Sequence, residues 1–106
     1  MATYEDFKKL ELRIAKIKEV SDHPNADRLY VITIDLGDKT KQIVAGIRNF
    51  YTKEALIGRQ VVVVDNLDPA VIRGVESQGM LLAASDEKGM AIIGPDKEMG
   101  LGSVVK

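Results

Sequence analysis

Cysteine and tryptophan are both absent from this 106-residue chain, and His23 is its single histidine. Without cysteine there is neither a disulfide frame nor a thiolate metal site. Asp22, His23, Asn25 and Asp27 crowd together, but a metal clip needs further ligands with defined geometry. Side chains of this kind more often bond their own backbone in Asx turns. No apolar run approaches the ~20 residues that span a bilayer, and the acidic N-terminus lacks the pattern of a secretion signal. A soluble cytoplasmic protein with no membrane partner is expected. Fifteen basic residues stand against sixteen acidic ones, a formal charge of −1, so the whole molecule exerts no attraction on nucleic acid. Any such binding has to come from a local patch. Catalytic groups are scarce as well. Ser77 and Ser85 are nucleophiles by type only, with no motif that places His23 beside them. Gly74 and Gly79 have the spacing of a P-loop without its following Lys-Ser/Thr. A non-enzymatic protein without cofactor or metal is expected.

What is present fits one domain, residues 1–106. Thr3 and Asp6 form a capping box for a short helix from about Tyr4 to Lys9. Leu10, Leu12 and Ile14 alternate with Glu11 and Arg13 as in a strand. The apolar parity then slips, through Ala15 and Ile17 and back to Val20. Between Ile14 and Ile17 this predicts a bulge or strong coil in a long first strand. Residues 21–27 are turn chemistry. Leu29 to Leu36 is a second strand, Gly37-Asp38 a tight turn, and Thr40 to Ile47 a third strand. Thr52 to Gly58 is a short capped helix. The run Val61 to Val64 is a buried strand, and Met80 to Ala84 re-enters the core as the fifth. The order β-β-β-α-β-β indicates an all-β fold with short helices, a five-stranded OB-fold barrel over about 10–85. A C-terminal extension of short strands follows over about 86–106.

The chain is organised around residues 66–85, a polar loop between two core strands, where a rigid scaffold usually presents function. Its alternative is a plain hairpin loop. Arg13, Lys16, Lys18, Arg28, Lys39, Lys41, Arg48 and Arg73 lie on segments that converge on one face of an OB barrel. Against that stands a solvated surface interspersed with Glu11, Glu19, Asp27, Asp35 and Asp68. Tyr30 is the only aromatic on strands two and three, so stacking on unpaired bases has little support. A folded RNA read by shape and phosphate suits these residues better.

Several spaced motifs then carry a resemblance: Asp6-Phe7-x-Lys9-Leu10-x-Leu12-Arg13, His23-Pro24-Asn25-Ala26-Asp27-Arg28-Leu29, Asp35-Leu36-Gly37, Ala45-Gly46-Ile47, Leu56-x-Gly58, Asn66-Leu67-x-Pro69 and Arg73-Gly74-x-x-Ser77-x-Gly79-Met80-Leu81. Together they resemble the structure-specific tRNA-binding domain over residues 4 to 106. That domain is appended to methionyl-tRNA synthetases, forms part of the endothelial-monocyte-activating-polypeptide type of cytokine, and exists as a free-standing dimer. The resemblance implies an OB fold that binds the outer corner of L-shaped tRNA without reading an anticodon. This would act as a free-standing protein or as a β subunit assisting methionyl-tRNA synthetase. It implies RNA contacts from Asn66, Arg73, Ser77 and Met80, with Arg28, Lys41, Arg48 and Gln78 completing the expected surface. Where the family usually has basic residues before Arg-Gly, this chain has Asp68, Ala70, Val71 and Ile72, which removes local positive charge. The domain is also similar to a bacterial export-related chaperone that binds peptides at its dimer interface, the second reading. A scaffold subunit that recruits a synthetase is the third. A homodimer is expected through the apolar extension residues Met90, Ile92, Ile93, Leu101, Val104 and Val105, for which the barrel core has no place. Folding back over their own barrel is the alternative.

Overall fold

Five strands wrap into a nearly closed, OB-like barrel, described by a computed structural model of residues 1–106. Helix α1, Tyr4–Lys8, starts at Thr3, whose hydroxyl accepts from the Asp6 amide while the Asp6 carboxylate accepts from the Thr3 amide. Strand β1, Leu12–Asp22, is the central element and pairs antiparallel on both sides. Its neighbours are β2, Tyr30–Asp35, and β4, Gln60–Val64. Strand β3, Thr40–Ala45, pairs with β2. Helix α2, Lys53–Leu56, begins at Thr52, whose side chain caps the Ala55 amide at 3.2 Å.

Both faces of β1 and β4 are buried over their paired length. Ala15, Ile17, Val61 and Val63 enter the main core with Ile32, Ile34, Ile43 and Leu56. Leu12, Ile14, Val62 and Val64 form a second cluster on the opposite face, beneath Leu82 and Val105. The parity change between Ile14 and Ala15 is therefore two-sided burial within a regular ladder. The bulge expected between Ile14 and Ile17 lies further on, where the register with β2 shifts between Ile17 and Glu19. That shift turns Val20 back toward the core.

The fifth strand is shorter than its sequence pattern. Only β7, Met80–Leu81, pairs with β4, and only Leu81 of the pair is buried. Ala83 and Ala84 belong instead to β8, Ala83–Asp86, which forms a hairpin with β9, Gly89–Ile92. The loop before β7 has its own hairpin: β5, Ala70–Ile72, with β6, Val75–Ser77. Strand β3 closes the barrel through side chains as well as backbone. The Gln78 amide donates to the Gln42 carbonyl at 2.8 Å, and Gln42 N–H donates to Gln78 Oε1 at 2.9 Å.

The extension folds back on its own barrel. Strand β10, Val104–Val105, pairs with Leu12 and Arg13, on the edge of β1 that β2 has left. Gly102 has a φ of +84°, and a Cβ there would meet the Leu36 carbonyl at 2.5 Å, so only glycine allows this approach. Ile92 is 8% exposed within the main core, which corrects its assignment to an interface. Met90 packs on the same core and Val105 on the second cluster. Leu101 is half-buried, its backbone lying against Gly37. Ile93 and Val104 stay exposed. No helix is long and apolar enough to cross a membrane.

Candidate nucleic-acid interface

The β5–β6 hairpin presents its tip through a two-residue turn, Arg73-Gly74, between the paired residues Ile72 and Val75. Both turn residues have positive φ, +53° and +89°, the requirement of a type I′ hairpin turn. Arginine in that region is strained, and the strain is held by neighbours. The His23 ring is buried, with Nε2 2.9 Å from the Ile72 carbonyl and Nδ1 accepting the Asn25 amide at 3.0 Å. These two bonds require the neutral Nε2–H tautomer. Asn25 Nδ2 donates to the Arg73 carbonyl, and Arg73 Nη2 donates to the Asn25 carbonyl. The turn at 21–27 is thus a platform that holds the hairpin.

Arg28 and Arg73 line one cleft of about 430 Å³ with Asn25, Ala26, Asp27 and Leu29. Both arginines are exposed, and neither is in an ion pair. This is the pair of expected RNA contacts that the fold brings together with their charges free. Met80 is 48% exposed, a further surface group on β7. Gln78 accepts from Gln42 through Oε1, which leaves its Nε2 donor available.

Four other expected contacts are engaged within the fold. Ser77 is buried, with Oγ accepting from the Val44 amide and donating to the Gly79 carbonyl, both at 2.9 Å. Asn66 accepts from the Glu11 amide at 2.8 Å and donates to the Lys9 carbonyl at 2.7 Å, tying the segment between α1 and β1 to the end of β4. Arg48 pairs with Asp22 at 3.3 Å, beside Lys53. Lys41 lies 2.7 Å from Asp65 Oδ1 and donates to the Asp65 and Gln78 carbonyls.

Asp65 escaped notice in the sequence, although an acid directly after four valines was the available signal. Its carboxylate is 2% exposed and meets three cations: Lys41, Lys39 at 3.1 Å and Arg13 at 3.3 Å. Burial by itself raises its pKa. Hydrogen bonds and charge from Lys41 and Lys39 outweigh that and hold the carboxyl below its usual 3.8. Arg13 also approaches Asp38 at 3.7 Å. Arg13, Lys39 and Lys41, part of the basic surface expected around β1 and β3, are therefore compensated locally.

Residues 12–104 match the family model of a "tRNA binding domain". The methionine–tRNA ligase of Thermococcus kodakarensis is 54% identical over 104 residues, which cover 98% of this chain and 14% of that protein. The chain thus spans about one seventh of the length of such relatives. Among solved structures, a MetRS-related protein from Pyrococcus horikoshii superposes with a TM-score of 0.92 at 30% identity, covering 100% of this chain and 98% of that one. The CsaA chaperone protein of Picrophilus torridus gives 0.93 at 34%, with both chains covered in full.

Proposed function

Because this chain belongs to the tRNA-binding domain family, we propose that it binds the outer corner of L-shaped tRNA by shape and phosphate contacts. The family is a binding domain without catalytic activity. Arg28 and Arg73 in one cleft, both outside any ion pair and Arg73 on a hairpin held by His23 and Asn25, are the observation that carries the reading. Two guanidinium groups on a firm support suit phosphate oxygens, which accept their paired donors. The edge of β5 supplies no extra charge, because Ala70, Val71 and Ile72 stand there and Val71 is 73% exposed. Binding then rests on few cations, and its salt dependence is shallow for a tRNA ligand.

The partners follow from the same reading. The protein assists methionyl-tRNA synthetase in the cytoplasm by adding affinity for tRNA, and it acts as a homodimer joined through exposed Ile93 and Val104. A gel-shift titration tests it, with total tRNA against an unfolded RNA control, for the protein and for Arg73→Asn. Asparagine tolerates the positive φ, so this variant removes charge without breaking the turn. Tighter binding of folded tRNA, weakened about five- to tenfold by Arg73→Asn, is expected. Equal affinity for unfolded RNA overturns the proposal.

A second reading, capture of apolar peptide, is favoured by one observation. Val44, Ile47, Met80, Leu82 and Met90 wall an apolar groove of about 360 Å³, and CsaA chaperones share the fold at 30% and 34% identity.

A further inference from the structure

We propose a second anion site, separate from the Arg28–Arg73 cleft, that takes phosphate oxygens in a cavity of about 460 Å³ lined by Lys16, Arg59 and Lys97. The cavity lies where α2 leads into β4 and the extension crosses below it, so three separate segments each contribute one cation. None of the three has a carboxylate within ion-pair distance or a side-chain hydrogen bond. Asp35 is the cross-strand neighbour of Lys16, but its Oδ1 accepts the Gly37 amide at 2.8 Å. Glu98 is the one acid in the lining, which leaves a charge excess of two.

The walls are built rather than incidental. Arg59 lies over the Tyr51 ring at 5.4 Å, an arrangement that orients the guanidinium and leaves its edge donors free. The Gln60 side chain bonds Met99 twice, through Nε2 to the carbonyl at 2.7 Å and through Oε1 to the amide at 2.9 Å. These bonds fix the segment that carries Lys97. Gly94 lies so close to β4 that a Cβ would meet the Gln60 carbonyl at 2.5 Å. At ~30 Å³ per water the space holds a phosphate with part of its hydration shell. Unpaired cations held at a cavity favour an anion because binding supplies the charge that the fold withholds.

The ligand chemistry is a phosphate, either free or in an RNA backbone, and one experiment separates the two. Pyrophosphate is titrated into isotope-labelled full-length protein and the amide resonances are followed by NMR. Saturable shifts at Gly58, Arg59, Gly94 and Lys97 are expected, and their loss in a Lys16→Gln, Arg59→Gln, Lys97→Gln variant that retains the wild-type spectrum elsewhere. In parallel, tRNA affinity is measured against salt. If the cavity takes an RNA phosphate, the variant loses about one unit of salt slope while Arg73 still contributes. If affinity and slope stay unchanged while the pyrophosphate shifts vanish, the site serves a free phosphate compound. Absence of localised shifts in the wild type, with either pyrophosphate or tRNA, overturns the proposal. Failure of the Arg73→Asn test would leave this result standing, since the two sites share no residue.

Discussion

Asn25 and Arg73 hold one another twice, each donating a side-chain hydrogen bond to the other's backbone carbonyl at 3.2 Å across 48 positions of sequence. One bond orders the β5–β6 turn, and the other aims the guanidinium that the turn displays. The contact explains how a strained arginine stays in place at an exposed tip.

Asn25→Ala is expected to weaken tRNA binding about threefold to tenfold while the fold persists, since a net hydrogen bond contributes ~1 kcal/mol. Its effect passes through Arg73, so a double-mutant cycle with Arg73→Asn gives less than the sum of the single losses. Filter binding of the four proteins measures this. Strict additivity would mean that Asn25 acts by another route.

Ser77→Ala lowers stability by about 1–3 kcal/mol, because it leaves the buried Val44 amide without an acceptor. Urea unfolding reads that loss. The tRNA affinity of the folded fraction stays at the wild-type value, whereas a direct RNA contact would lower it at constant stability.

Asp65 makes stability depend on acid. Its folded pKa is depressed, so its contribution is complete above the unfolded carboxylate value and disappears as pH falls through the lower folded one. Asp65→Asn is expected to cost about 2–4 kcal/mol near neutrality, since Lys39, Lys41 and Arg13 then face one another without their carboxylate. The gap between variant and wild type closes at strongly acidic pH. Denaturant titrations near pH 7 and below pH 3 check both halves; a gap that persists in acid contradicts the assignment.

The proposed dimer is tested best with surface changes. Ending the chain at Ser85 would remove Ile92 from the core and Val105 from the second cluster, and so would report on folding. Ile93→Asp with Val104→Asp leaves those residues in place. Light scattering should show a dimer for the full chain and a monomer for the double variant. A wild-type protein that stays at monomer mass through micromolar concentration removes the proposal.

Local chemistry carried a large part of the fold. Thr3 and Thr52 cap the helices that follow them, Gly37 turns the β2–β3 hairpin with a φ of +91°, and the alternation from Tyr30 to Leu36 matches its burial. Each depends on neighbours within a few residues, so each was legible in order along the chain. The motif around Arg73 located the displayed loop in the same way. Side-chain availability was a different matter. Ser77, Asn66 and Lys41 are polar residues on expected segments, yet their partners Val44, Glu11 and Asp65 lie 33, 55 and 24 positions away. Ile14 and Ala15 read as a slip because periodicity assumes one buried face, and the extension buries the second. Sequence determines which groups are able to bond and where the chain turns. Tertiary structure decided which bonds were already made, because a long-range pairing depends on how distant segments meet.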